Sequence, residues 1–303
     1  MLRDGIGENS EFAGFHPLVN LTYFIIVIGV TMFSMSPAFL VTNLVLSWTY
    51  SILLRGSGVI LQNFFVTVFT LIVMTVINMF FTHEGVTVLF YLNDNAITLQ
   101  ALIYGLCSAV MLSSVITWFV SFNVIMSSEK LIYIFGKAAP VIGLTLSMIF
   151  RYVPLLKERY KEIHMGQVCL GRGNRRGFFN KMRRFAKEVS ILISWSLESS
   201  IESADSMEAR GYGLKGRTSF HLYRLQKRDI LFVLIMFALL SVVIYGGYAG
   251  TGKVSFYPDF NYNPDMKSVV ALVAYFGLAM LPLSMDIYGE MRWKRSRRSN
   301  LTM

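Results

Sequence analysis

The sequence has few charged residues for its length. Only 15% of its 303 residues are Asp, Glu, Lys or Arg, whereas a soluble domain carries about 25%. Hydrophobic residues make up 54% of the chain, which is too much for an ordinary water-facing surface. Cysteine is also scarce, with Cys107 and Cys169 alone, and this excludes a disulfide-rich secreted scaffold. The composition predicts an all-α, polytopic membrane protein.

Long uncharged segments predict where the chain crosses the membrane. A helix needs about 20 mostly apolar residues to span a hydrocarbon core of roughly 30 Å. The shorter apolar segment 138–150 is more typical of a buried or interfacial helix and is not counted as a span, and the sequence leaves open whether 130–150 is interfacial or membrane-inserted. About six spans are predicted, at 17–34, 38–54, 59–82, 98–122, 230–250 and 268–288.

The basic residues predict the orientation of these spans. The net charge is +10, with 28 Lys and Arg against 18 Asp and Glu. Most of the positive charge lies between Lys130 and Arg228 and in the tail from Arg292 onward. Because cytoplasmic loops are rich in Lys and Arg, both termini and the central segment are expected inside the cell. The predicted parts are 1–128 with four spans, 129–228 as a cytoplasmic domain, and 229–303 with two spans and a basic cytoplasmic tail.

The cytoplasmic domain is predicted to contain two helices. Pro154 suits the first turn of a helix that would end near Gly171 or Gly173. A second helix is expected over 178–209, because apolar residues recur there every three or four positions. These positions are Phe185, Val189, Ile193, Leu197, Ile201 and Ala204.

Small and acidic side chains lie on other faces of the second helix. Ser199, Ser203 and Ser206 predict a close helix crossing, since small residues let two backbones approach each other. The acidic stripe is interpreted as a solvated face. Its members are Glu198, Glu202 and Asp205.

An arginine stands between small residues at two predicted helix ends, and the two arginines are 38 residues apart. A glycine just past a helix end supplies a left-handed cap, and a cation is favourable near the carbonyl end of a helix. Either arginine alone would be explained by the helix dipole, but two copies in one cytoplasmic domain favour a paired binding device. The motifs are Gly171-Arg172-Gly173 and Ala209-Arg210-Gly211.

Sequence patterns for catalysis or cofactor binding are weak. The glycines of 211–216 match G-x-G-x-x-G by letter, but the preceding segment is an acidic helix and not the strand that a nucleotide site requires. The four histidines are scattered, and no charged residue falls within the middle of a predicted span, as an ion pathway would require. Asp286, near the end of the last span, is expected at the membrane interface. No catalytic residue, metal or cofactor is therefore predicted.

The order of motifs over 138–218 is distinctive. An apolar stretch that ends near Pro154 is followed by an Arg-Gly motif, a long helix and a second Ala-Arg-Gly motif. This order resembles the transmembrane T component of energy-coupling factor (ECF) transporters, which are ABC-type importers of vitamins and metal ions. The block 204–213 is the most specific part, whereas Gly171 stands where alanine is commoner in the family. The 15–17 sequence Phe-His-Pro before the first span also fits.

The resemblance implies a scaffold that performs no chemistry. Two cytoplasmic ABC ATPase subunits would bind the 129–228 coupling domain, each receiving one Arg motif in a surface groove. A membrane-embedded substrate-binding S component would pack against the chain, and motion of the ATPase pair would tilt it to release a vitamin or other micronutrient, or a metal ion, inside. The family implies the plasma membrane of a prokaryote and no nucleic-acid partner. The substrate is held by the S component, so this chain does not specify it.

Two other interpretations stay open at the level of sequence. A conventional ABC permease would use one short cytoplasmic loop and its own substrate path, which the long insert and two Arg motifs argue against. A membrane enzyme or receptor could use a basic domain to contact anionic lipid. Co-purification separates them, because a T component should bring two ATPase subunits and a small hydrophobic protein with it.

The predicted topology can be tested by cysteine labelling in a chain that lacks Cys107 and Cys169. A cysteine placed at Asn93 should react with an impermeant reagent added outside intact cells, because 83–97 carries no Lys or Arg. A cysteine at Asn174 should react only after the cells are opened. Labelling of position 174 from outside would contradict the assignment of sides.

Overall fold

The chain is described by a computed structural model that covers residue 7 and the segments 10–82, 85–92, 95–172, 177–214, 223–248, 254–258, 260, 262 and 265–301. Helices dominate these segments, and they confirm the all-α, polytopic class. The helices are α1 (Pro17–Phe33), α2 (Pro37–Arg55), α3 (Val59–Phe81), α4 (Leu99–Ile125), α5 (Ser128–Ala138), α6 (Pro140–Gln167), α7 (Phe178–Ala209), α8 (Lys227–Tyr248) and α9 (Met266–Leu301). An antiparallel hairpin of β1 (Val88–Leu92) and β2 (Asn95–Thr98) precedes α4.

Five helices in the described part of the chain are long and apolar enough to cross a bilayer, namely α2, α3, α4, α8 and most of α9. Helix α1 is equally apolar but has 17 residues, or about 26 Å of helix. Proline starts α1 and α2 at the first helical position, where its missing N–H costs no hydrogen bond. His16 accepts a hydrogen bond from the backbone N–H of Leu18 and caps α1.

The chain divides into two compact units. The membrane unit comprises Met1–Ser127 and Tyr223–Met303, and the helical insert comprises Ser128–Leu222. Aromatic side chains fill the core of the membrane unit, with ring centroids 5.3 Å apart for Phe12 and Tyr23 and 6.2 Å apart for Phe24 and Trp118.

Polar side chains pair between helices in the membrane unit. Asn43 of α2 donates a hydrogen bond of 2.9 Å to Thr31 Oγ1 of α1. The same Asn43 accepts a bond of 2.8 Å from the indole N–H of Trp118 in α4. Because hydrocarbon offers no water as an alternative partner, these pairs favour this arrangement of α1, α2 and α4.

Asp286 is buried among protein groups, where the sequence suggests an interfacial position. Its side chain is 1% exposed, and it accepts hydrogen bonds from the Phe12 backbone N–H at 2.9 Å and from the Tyr50 hydroxyl at 3.3 Å. A buried carboxylate needs such donors. Asp286 therefore attaches the segment before α1 to α2 and α9.

The structure corrects the predicted start of the first helix of the insert. Helix α6 begins at Pro140 and continues through Pro154 to Gln167, so the apolar segment 138–150 belongs largely to its first half. A proline inside a helix removes one backbone hydrogen bond. The backbone hydrogen bonds of the helical turns before and after Pro154 outweigh that loss. Helix α5 packs tightly before it, since a Cβ on Gly143 would overlap the backbone of Gly136.

Candidate functional site

Helices α6 and α7 of the helical insert form an antiparallel hairpin. The hydroxyls of Tyr152 and Ser203 are 3.0 Å apart. The Arg159 guanidinium lies 4.9 Å from the ring centroid of Trp195. From the first pair to the second, the residue number rises from 152 to 159 along α6 and falls from 203 to 195 along α7. The two helices therefore run in opposite directions.

The two Arg motifs lie at opposite ends of α7. Arg172 ends the π-helical turn Val168–Arg172 that follows α6 and leads toward the start of α7. Arg210 is the C-terminal cap of α7. Because α7 has 32 residues, about 48 Å of helix separates the two motifs.

The second motif has the backbone geometry of a Schellman cap. The Tyr212 N–H donates to the Met207 carbonyl at 3.0 Å, and the Gly211 N–H donates to the Glu208 carbonyl at 2.9 Å. Gly211 has φ +79°, the left-handed conformation predicted for a capping glycine, and a Cβ there would lie 3.0 Å from Leu214. The cap fixes the backbone of Arg210, whose side chain is exposed.

The first motif differs from the second in its backbone. Gly171 takes the left-handed conformation, with φ 72° and ψ 9°, immediately before Arg172. In the second motif the left-handed glycine follows the arginine. The two motifs share the Arg-Gly pair and a position at a helix end. Their backbone conformations differ. Gly173 lies outside the described residues, and of Arg172 the structure describes the backbone alone.

A cleft of about 280 Å³ opens between α6 and α7 at the Arg210 end. Arg151 and Arg210 place two cations along it, and Glu202 adds one carboxylate. A hydrogen bond with Ser203 lowers the pKa of Tyr152 in this cleft, and the charge of Arg151 acts in the same direction. The position of Arg151 and Tyr152 in this cleft was not predicted, because it depends on the partner helix.

The predicted serine crossing lies at this same end of the hairpin. Ser203 contacts Tyr152, Ser199 is half-buried beside it, and Ser206 lines the cleft. A tyrosine side chain enters the space that the small serines leave. The helices therefore meet here through the Tyr152 ring and hydroxyl.

Glu188 holds the other end of the hairpin, and this role was not predicted from the sequence. Its side chain is 2% exposed. The Tyr160 hydroxyl donates to its Oε2 at 3.1 Å, and His164 Nδ1 and Arg184 Nε lie 3.0 and 3.6 Å from its Oε1. Burial raises the pKa of Tyr160, and its hydrogen bond to Glu188 adds to the increase. Its burial depends on contacts with α6, which the sequence of α7 does not reveal.

The remaining faces of α7 are open. The acidic stripe of Glu198, Glu202 and Asp205 is exposed, as predicted for a solvated face. The apolar stripe is exposed as well, by 54% at Ile193, 62% at Leu197 and 63% at Ile201. An exposed apolar row of this kind marks an interaction surface. Helix α6 does not cover this stripe.

The chain is similar to curated membrane proteins of one kind. It is 31% identical over 124 residues to the energy-coupling factor transporter transmembrane protein EcfT of Thermotoga maritima, which is 40% of this chain and 46% of that protein. It is 32% identical over 121 residues to EcfT of Streptococcus thermophilus, covering 38% and 45% of the two chains.

A further match is an uncharacterized protein of Mycoplasma genitalium, 34% identical over 107 residues, or 35% of this chain and 26% of that protein. The matched region thus spans less than half the length of each of these relatives. No family model matches the chain. The EcfT matches confirm the resemblance to the T component that the motifs predicted.

The Glu188 cluster can be tested by hydrogen exchange on the full chain. Glu188→Ala should speed amide exchange in α6 around Tyr160, because the Tyr160 and His164 side chains lose their partner. Leaving such groups unpaired costs about 1–3 kcal/mol. Glu188→Gln, which keeps an acceptor for Tyr160, should have a smaller effect.

Glu198→Ala is the matched control, since Glu198 is an exposed glutamate of the same helix. It should leave exchange in α6 unchanged. Equal exchange in the Glu188→Ala and Glu198→Ala chains would show that the cluster does not hold the two helices together.

Proposed function

We propose that this chain is the transmembrane coupling subunit of an ECF-type ABC importer. Two cytoplasmic ATPase subunits would bind its helical insert, and an S component in the membrane would bind the substrate, a vitamin or other micronutrient. The observation that carries the proposal is the placement of two Arg motifs at the two ends of one helix, in a chain similar to EcfT. The chain itself would hydrolyse no ATP.

The separation of the motifs suits two partner subunits. About 48 Å of helix is longer than the roughly 30 Å diameter of a small domain, so one groove could not receive both arginines. Arginine is always charged, and its planar guanidinium matches a carboxylate in a bidentate manner. Each motif would therefore insert one arginine into an acidic groove on its own ATPase subunit.

The two contacts between α6 and α7 would make the hairpin a lever. The Glu188 cluster holds the helices near the first motif, and Tyr152 with Ser203 holds them near the second. Motion of either ATPase subunit would then move both helices together. The exposed apolar stripe of Ile193, Leu197 and Ile201 is the surface that would pass this motion to an apolar partner.

The arginine motifs are tested by purifying the complex with and without single substitutions. Arg172→Ala and Arg210→Ala should each reduce the ATPase subunits that co-purify, and the double variant should lose more than either. Loss of a partly buried charged contact at an interface costs about 2–5 kcal/mol. Arg183→Ala, which removes an exposed arginine within α7, should have no such effect.

Membrane insertion of each variant is checked by its yield and by thermal unfolding in detergent. If both single variants retain ATPase subunits and transport at the level of Arg183→Ala, the arginines serve only as helix caps. A purified wild-type chain without ATPase subunits or a small hydrophobic protein would contradict the whole proposal.

The lever is tested at Ser203, where a large side chain cannot share the space that Tyr152 fills. Ser203→Trp should force α6 and α7 apart, and overpacking of this kind costs about 1–3 kcal/mol. The complex should assemble and hydrolyse ATP, but hydrolysis should no longer drive uptake in proteoliposomes.

Ser194→Trp is the matched control, because Ser194 is exposed and lies about two and a half turns away, on the opposite face of α7. It should leave coupled uptake intact. Normal uptake by the Ser203→Trp complex would show that the crossing is not part of the coupling path.

A further inference from the structure

The membrane unit contains a cavity of about 830 Å³ at one end of its helix bundle. It lies where α1 and α8 end and where α2 and α9 begin. The described residues that line it carry no charge, and the polar side chains among them are serines. Such a lining suits the uncharged, mostly apolar part of a ligand, and the volume is that of a typical small-molecule site. The apolar wall includes Val30, Phe33, Phe39, Leu240 and Val243.

One serine that lines the cavity has a hydroxyl without a hydrogen-bond partner among the described residues. Ser36 is only 8% exposed, and its Oγ has no hydrogen-bond partner within the protein. A buried hydroxyl without a partner is unfavourable. The ligand is therefore expected to carry an oxygen that can accept a hydrogen bond close to Ser36.

The position of the cavity indicates which ligand combines an apolar part with an oxygen that accepts a hydrogen bond. Helix α1 spans about 26 Å and the hydrocarbon core roughly 30 Å, so the turn between α1 and α2 lies near the boundary between acyl chains and headgroups. Phe33, in the cavity wall, is 94% exposed and faces the lipid there. A phospholipid has an apolar chain below this boundary and an ester carbonyl at it.

We propose that the cavity binds one phospholipid, with an acyl chain along its apolar wall and an ester carbonyl oxygen accepting a hydrogen bond from Ser36 Oγ. Helices from both segments of the membrane unit line the cavity. The acyl chain would thus fill the space between α1 and α2 on one side and α8 and α9 on the other. This site does not depend on the proposed coupling function.

The test is native mass spectrometry of the full chain taken from vesicles of dioleoylphosphatidylglycerol. The wild-type chain should retain one phospholipid at detergent concentrations that remove the rest. Val30→Phe, which places a ring in the cavity, should lose it. Ile25→Phe is the matched control on the lipid-exposed face of α1 and should retain it.

Ser36→Ala tests the hydrogen bond with little change in volume. It should need about three to ten times more lipid for half occupancy. Retention by Val30→Phe equal to that of the control would overturn the proposal, as would the absence of retained lipid on the wild-type chain. A photoreactive residue at Phe33 that cross-links in intact membranes to protein and not to lipid would also overturn it.

Discussion

The geometry of the helical insert depends on the continuity of α7. The 32 residues from Phe178 to Ala209 include neither glycine nor proline, so nothing in the sequence breaks or bends the helix locally. A break at any point would change the distance between the two Arg motifs, and their positions would then no longer be fixed relative to each other. Since helices in proteins gain most of their stability from packing, this continuity relies on the contacts that α7 makes with α6.

Those contacts are of unequal strength at the two ends. Near the first motif, the buried Glu188 carboxylate contacts the Tyr160 hydroxyl and the His164 imidazole of α6, and hydrogen bonds to a charged group are stronger than neutral ones. Near the second motif, Tyr152 and Ser203 share a neutral hydrogen bond beside an open cleft. The Arg210 end is therefore the one where α6 and α7 separate more easily. A hairpin of this kind would respond differently to a load at its two ends, although each end carries an Arg-Gly pair.

The features that sequence predicted here are those set by neighbouring residues. The bounds 178–209 of the long helix and the left-handed Gly211 follow from helical periodicity and capping, which are local. Pro154 misled because its effect on a helix depends on the residues that continue on both sides. Glu188, Arg151 and Tyr152 could not be assigned, since their roles arise from contacts between helices that are distant in the chain. The apolar stripe of α7 shows the same limit, because its period predicts a helix and not whether another element covers the stripe.

Several polar side chains in the membrane unit join one helix to another. Asn43 connects α1, α2 and α4, Thr67 pairs with Ser113 between α3 and α4 at 2.6 Å, and Asp286 connects α9 to α2 and to the segment before α1. In the described helices these side chains pair across helix boundaries, and Asn63 of α3 likewise donates to Ser51 of α2 at 3.2 Å. Such pairs hold the helices of the membrane unit in one arrangement, because hydrocarbon offers no water as an alternative partner.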